Sequence, residues 1–576
     1  MPLLQALLLA LLVVAAPAQA QERRLEVTLE APDAVRPLLE RHVRLLRVEQ
    51  AVPERIADRI ALIRRARRDI AALLSTEGHF TPVIDFERDA PGRWRILVDP
   101  GPRASVIAVD IAFAGHIAQD SPVPGGRRDG LRAAWPLKPG QAFRQADWDA
   151  AKQSLLHEVA ERDYAAARIA ASRAEVDPQA GSVRLSVTVD SGPAFRIGEL
   201  QVRGIELLPP DFVERYYTLQ PGDRFDQERL LALQSMLQNL PQFASVAVDI
   251  PRDPALADAV PVRVHVSEAE SRRLAFGAGY STNTGLRAEV GWRDVNLLGR
   301  GWELETGLRL EQKRQAAFAD IFLPPTRDNV RDSFGAMLEA TDIEGLRTDR
   351  YAVGTVRAWL RGDDETAVSL RYQRERLRPD GGEEAINKAL TASVSWTRRR
   401  VDNPLDPRNG YVLRGEVGGG AKSLLSDQDF LRFYGRALRY RPIGNDTLIV
   451  RGELGVTLAD SRDGIPLDYL FRTGGSQTVR GYDYESLGVK DGEATLGGRY
   501  LATGSVEYIH WFRPQWGVAT FVDVGDAADS RQEFDLKVGT GVGARWRSPA
   551  GPIALDLAWG HDEQRFRVHF SVAIAF

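Results

Sequence analysis

The chain has 576 residues, and its eight histidines stand at His42, His79, His116, His157, His265, His510, His561 and His569. They are scattered, and none belongs to a His-Glu-x-x-His arrangement, the spacing that sets two imidazoles on one helix face around zinc. Cysteine is absent, which excludes disulfide frameworks, thiolate metal sites and cysteine nucleophiles. There is no Gly-x-Ser-x-Gly elbow and no Walker loop, so the sequence shows neither a hydrolase nucleophile nor a phosphate cradle. Aspartate and glutamate are abundant, yet no motif pairs them. No enzyme is expected: no catalytic residue, metal ligand or cofactor is assigned. The basic run Arg64-Arg65-Ala66-Arg67-Arg68 superficially suggests nucleic acid. It lies on an amphipathic helical pattern and reads as a solvated face. Lys plus Arg total 75 and Asp plus Glu total 79, a net charge of −4, so overall charge also gives no reason to expect a nucleic-acid partner.

The elements that must carry any function fall into two halves. Hydrophobic residues at 44% and charged residues at 27% exclude a generally disordered chain. Leu7 to Ala16 is an apolar run, followed by Ala18-Gln19-Ala20 and then by charge. This pattern predicts a secretory signal peptide over residues 1–20, cut after Ala20. Beyond it, helical and strand-like stretches alternate. Ile56, Ile60, Ile63, Ile70 and Leu74 recur at helical spacing before Gly78. Two signals then repeat. Val98-Asp99-Pro100-Gly101-Pro102 and Val189-Asp190-Ser191-Gly192-Pro193 each precede a strand. Leu137-Lys138-Pro139-Gly140-Gln141-Ala142-Phe143 and Leu219-Gln220-Pro221-Gly222-Asp223-Arg224-Phe225 each lead into a helix. The Pro-Gly-x-x-Phe element supplies a turn and one apolar anchor. Such a period predicts an array of small α+β domains, at about 22–103, 104–193 and 194–268.

From residue 271 a two-residue alternation takes over. Phe566, Val568, Phe570, Val572, Ile574 and Phe576 share one face, opposite Arg565, Arg567 and His569. Leu448, Val450, Leu454, Val456 and Leu458 alternate with Arg451 and Glu453, and Ile553, Leu555, Leu557 and Trp559 alternate with Asp556. Segments of about ten residues suit a tilted membrane crossing, and full charges on the polar face suit a wet lumen. Residues 271–576 predict a transmembrane antiparallel β-barrel of sixteen strands at about nineteen residues per strand and connection. Fourteen or eighteen strands are compatible with the same length, and a soluble β-sandwich remains an alternative. His569 then reads as a lumen residue.

Several motifs resemble the outer-membrane assembly superfamily of BamA and TamA, with periplasmic POTRA domains (β-α-α-β-β) followed by a barrel. The stretch Phe471 to Tyr482 ends in Val479-Arg480-Gly481-Tyr482, similar to the family's signature loop. Phe521-Val522-Asp523-Val524-Gly525 resembles its partner strand. Gly277-Ala278-Gly279-Tyr280-Ser281, Gly291-Trp292 and Asn296 to Gly301 resemble its first hairpin, and Asp402 to Tyr411 a further turn. Three tandem domains resemble the TamA branch, since BamA carries more and two-partner secretion transporters fewer.

The resemblance implies a long loop folded into the lumen, with Arg480 facing Asp523. A guanidinium suits this role because its planar fork grips a carboxylate bidentately and stays charged. Gly481 and the pair Gly474-Gly475 would permit tight turns, and Tyr482 offers a ring and a hydroxyl. The pair reads as a structural latch. The resemblance also implies a weak seam between first and last strands, involving Gly277, Gly279, Phe570, Val572, Ile574 and Phe576. Phe566 to Phe576 contains no glycine, a departure from relatives whose last strand kinks inward at one. The implied function is insertion or translocation of β-barrel and autotransporter-type proteins in the outer membrane of a Gram-negative bacterium, by lateral opening of that seam. The implied partners are a TamB-like inner-membrane-anchored periplasmic protein, client outer-membrane proteins and outer-membrane lipid. A two-partner-secretion transporter, a passive porin and an outer-membrane phospholipase are the alternatives.

Overall fold

A computed structural model describes residues 25–47, 55–90, 92–119, 126–548 and 551–575, with backbone only at 551 and 571–575. The expected signal segment 1–20 and Phe576 lie outside the described residues. Among those described, three three-stranded sheets precede one closed barrel.

In the first sheet the strand Arg93–Asp99 is central, parallel to Glu26–Glu30 and antiparallel to Val83–Ala90. The helix Ile56–Thr76 buries Ala66, Ile70 and Leu74. Ile56 and Ile60, expected on the same apolar stripe, are exposed. A helix of 21 residues is about 31 Å long, whereas seven strand residues span about 23 Å. The helix therefore outruns the sheet at its N-terminal end. The second sheet repeats the arrangement, with Ser182–Asp190 central, Ser105–Ala114 parallel and Arg168–Asp177 antiparallel. The helix Gln145–Ala160 covers it through Trp148, Leu155 and Val159. The third sheet has the same order, Ile197–Arg203, Val260–Glu268, Phe243–Asp249, with the helix Gln227–Gln238.

The repeated Pro-Gly-x-x-Phe signal has one physical meaning in both copies. Gly140 and Gly222 take φ of +90° and +92°. The N–H of Gly140 donates to Val106 O and that of Gly222 to Ile197 O. Phe143 N then donates to Ala104 O, and Phe225 N to Phe195 O. Both phenylalanines are buried. The same turn thus pins the start of a helix to the edge of a sheet twice.

Among the described residues the barrel has sixteen antiparallel strands, from Arg272–Ser281 to Arg565–Ala575. Its burial is inverted relative to a soluble sandwich. Leu454 is 68% exposed and Phe566 67%, whereas Glu375 is 1% exposed and Asp523 0%. An oily exterior around charged interior residues is the arrangement of a membrane barrel, and closure gives every strand two neighbours. No helix among the described residues is long and apolar enough to cross a membrane.

Closure is uneven. The strands Leu346–Arg361 and Asp364–Pro379 pair over sixteen positions. Among the described residues the first and last strands pair over five, Gly277–Ser281 with Ala575–Ser571. The last strand changes neighbour midway. Its residues Arg565–Phe570 pair with Leu555–Gly560, and its remaining residues pair with the first strand. This handover needs no glycine. At the crossover Thr282 Oγ1 accepts from Phe570 N at 3.1 Å, and Phe570 O accepts from Thr282 N at 2.9 Å.

Candidate functional site: an arginine knot beside the seam

The segment 459–499 connects the strands Asp446–Leu458 and Tyr500–His510. It carries a small hairpin, Val489–Asp491 with Ala494–Leu496. Around Arg480 it turns tightly. Gly474, Gly475 and Gly481 all have positive φ, and Gly475 N donates to Val479 O at 3.2 Å.

Arg480 is 2% exposed and meets three carboxylates. Its Nε donates to Asp523 Oδ2 at 2.7 Å and its Nη2 to Asp523 Oδ1 at 3.0 Å. Its Nη1 donates to Glu507 Oε2 at 2.7 Å and to Asp556 Oδ2 at 3.1 Å. Its backbone N–H adds a 3.1 Å bond to Asp523. The guanidinium carbon lies 3.4 Å from the Phe521 ring centroid, a cation–π contact inside a desolvated site. A second cation, Arg545, donates to Glu507 at 2.7 Å and to Asp556 at 2.5 Å. A third, Arg451, lies 3.9 Å from Asp523 and donates to Ser505 Oγ at 3.1 Å. Three arginines thus balance three carboxylates, which is the condition under which charges tolerate burial.

The neighbouring peptide is held at both ends by the last strand. Gly481 N donates to His569 Nε2 at 2.9 Å, and Gly481 O accepts from Arg567 Nη1 at 2.8 Å. Arg567 also grips Asp483 with two bonds, at 2.9 and 2.6 Å. The fit leaves no room for larger residues. A Cβ on Gly539 would stand 1.8 Å from Arg480 O, and one on Gly525 would stand 3.0 Å from Val479 Cγ2. Val479 itself is fully buried. The Tyr482 hydroxyl donates to Asp562 Oδ2 at 2.7 Å in the turn before the last strand. That bond holds the Asp562 carboxyl below the usual aspartate value of 3.8.

The structure therefore brings together Val479, Arg480, Gly481 and Tyr482 with Phe521, Asp523 and Gly525. It adds Glu507, Asp556, Arg545, Arg451, Arg567 and His569, which the motifs did not point to. All lie on strands scattered through the sequence, so no local spacing marks them. Their shared signal is a polar residue on the lumen face of an alternating strand.

The seam residues follow the knot along the last strand and face it from the first. Gly277 and Gly279 pair with Ala575 and Ala573, and Ala278 and Tyr280 pair with Ile574 and Val572. Phe570 ends the pairing with the strand before it. One link joins the loop to the first hairpin: Asn283 Nδ2 donates to Ser476 Oγ at 3.1 Å, and Ser476 N donates to Asn283 Oδ1 at 3.4 Å. A second anchorage holds the start of the loop. Leu467 N donates to Glu375 Oε1 at 2.8 Å, Asp468 pairs with Arg350, and the Tyr469 hydroxyl meets Thr391 Oγ1 at 2.5 Å.

No group of three metal-ligating side chains is placed to hold an ion among the described residues. A buried, paired ion network fixes the shape of a loop. The fold and this network define an outer-membrane barrel with a lumen plug. Residues 274–576 match the Omp85 superfamily domain, and the chain belongs to that superfamily. Residues 126–192 match a POTRA family described as a surface antigen variable number repeat. The outer membrane assembly factor BamA of Nitratidesulfovibrio vulgaris is 26% identical over 431 residues, covering 70% of this chain and 54% of that protein. The chain thus spans about half the length of this curated relative. The crystal structure of Haemophilus ducreyi BamA lacking POTRA domains 1–3 superposes with a TM-score of 0.72 at 16% identity, over 82% of this chain and 100% of that one, a likeness of fold. CdiB from Acinetobacter baumannii reaches only 0.46 at 14% identity, over 90% and 98%. Members of this superfamily are non-enzymatic assembly or transport factors, and their barrel sits in the outer membrane with POTRA domains in the periplasm.

Proposed function

We propose that this chain is an outer-membrane assembly factor that helps insert or translocate β-barrel and autotransporter-type proteins, using the seam as the exit. The observation carrying this reading is the five-position pairing of first and last strands. Arg272–Phe276 pair on one side only among the described residues. The N–H and C=O groups on the other side of Arg272–Ala275, which pair with no described residue, can template an incoming strand, which is strand addition at an exposed edge. The driving force is burial of the client's apolar residues in lipid; no nucleotide is needed.

The absence of native cysteine makes a clean test available. Gly279→Cys with Ala573→Cys places two thiols at directly paired positions. The oxidised protein should stop inserting clients and reduction should restore insertion. Undiminished insertion in the oxidised form sinks the seam as exit. Depletion of the protein separates the alternatives: loss of selected barrel proteins supports assembly, and altered solute permeability alone supports a porin.

The tandem small domains and the motif resemblance favour the TamA branch. On that reading residues 22–103, 104–193 and 194–268 are three POTRA domains, and the first binds a TamB-like inner-membrane-anchored protein. Deleting 22–103 should abolish co-purification of that partner while the barrel still assembles. Retained co-purification rejects the assignment.

A further inference from the structure

Register carries one row of side chains across six strands on the outside of the barrel: Leu308, Ala317, Leu338, Tyr351, Arg374 and Lys388 are successive direct partners. Leu308, Leu338 and Tyr351 are exposed, so the row faces lipid. A parallel row just beyond it runs Gln315, Ala340, Asp349, Arg376, Ile386. Between the two rows lies a groove of about 560 Å³, lined by residues that include Ala317, Ala340, Asp349, Arg374 and Arg376.

Strand alternation sets its height. With the POTRA domains periplasmic, as in the superfamily, the barrel strand that follows them starts on that side, which puts the turns at 344–345 and 380–384 on the outer side. Tyr351 and Tyr372, with ring centroids 6.5 Å apart, form an aromatic pair of the kind that flanks the apolar band of a membrane barrel. Arg374 is the next outward residue after Tyr372. This places the cations among the headgroups of the outer leaflet, where charge on a barrel exterior is tolerated.

Their arrangement calls for an anion. Arg374 and Lys388 are direct cross-strand partners, about 5 Å apart at Cβ, and like charges so placed repel. Arg376 has Glu384 at 3.2 Å and Lys388 has Asp427 at 3.8 Å, and Asp349, the direct partner of Arg376 in the same groove, is held by Arg378. Arg374 has no ion-pair partner among the described residues. We propose that the groove binds a phosphorylated glycolipid of the outer leaflet. The phosphate sits between Arg374, Arg376 and Lys388, and an acyl chain lies along Tyr351, Leu338, Ala317 and Leu308. An amphiphile matches both ends, since the cations satisfy its headgroup and the small residues admit its chain. The site spans strands three to eight of sixteen, with its cations on the seventh and eighth, about half a turn around the barrel from the seam.

The test uses the full chain in nanodiscs, with bisphosphorylated lipid A or the same glycolipid stripped of phosphate, and counts bound glycolipid by native mass spectrometry. Wild type should retain the phosphorylated form preferentially. Arg374→Ala with Lys388→Ala should lower retention about tenfold. Ala317→Trp should lower it comparably by filling the groove while leaving every cation in place. Heat-modifiable gel migration verifies that each variant is folded. Equal retention of both glycolipids, or unchanged retention in either folded variant, overturns the proposal.

Discussion

The two halves of the last strand are built on opposite principles. Arg567 and His569 hold the Gly481 peptide by its carbonyl and its N–H, next to a buried network of three arginines and three carboxylates. A few residues further on, Ser571–Ala575 close the barrel through five backbone pairs. Ion pairs in a desolvated site are costly to break singly, because removing one partner strands the others. A short antiparallel pairing at an edge is not. The contrast teaches that a barrel can keep one side of an opening rigid while the opening itself stays soft. The loop reaches toward the soft side through Asn283 and Ser476.

The largest expected effect comes from Arg480→Ala. It leaves Asp523, Glu507 and Asp556 facing only Arg545 and Arg451, at a cost of about 3–5 kcal/mol. Thermal unfolding in detergent should show a large destabilisation and cells should accumulate little mature barrel; wild-type stability would mean the knot is not what holds the loop. Next is the Gly279→Cys, Ala573→Cys cross-link. It should abolish client insertion without lowering barrel stability, which separates the seam from the knot. Gly539→Ala should cost about 1–3 kcal/mol by overpacking, because its Cβ would meet Arg480 O at 1.8 Å. A stability equal to wild type would show that the loop can shift without loss.

Asn283→Ala should be milder, about 0.5–1.5 kcal/mol, and should act on the soft side. The expected readout is faster hydrogen exchange of Gly277–Ser281 with protection of the knot unchanged. Loss of protection in both regions would erase the distinction between them. The smallest effect is that of acid. Tyr482 lowers the Asp562 pKa, so this tether contributes fully above 3.8 and is lost as pH falls through the depressed folded value. Loop protection near Tyr482 should be flat from neutral pH down to that point and decline below it; a decline already at pH 6 would point to another group.

Legibility in the sequence followed locality. Two-residue alternation announced the barrel because a strand sorts its side chains by parity within a few residues. Arg480 and Asp523 were legible through short motifs. Glu507, Asp556, Arg545 and Arg451 were not, because each is one polar residue among many on a lumen face. What joins them is the order of strands around the closed barrel. The exposure of Ile56 and Ile60 was hidden for a similar reason: helical spacing records which residues share a stripe, not how far the covering sheet extends.

The linear order of residues was enough to specify the alternating strands, the repeated Pro-Gly-x-x-Phe turns and the glycines around Arg480, since each rests on backbone preferences acting over a few positions. Closure of the barrel decided the rest. It set which six charges meet, how few positions join the first strand to the last, and where Arg374 stands beside Lys388, because proximity across strands follows from register and not from distance along the chain.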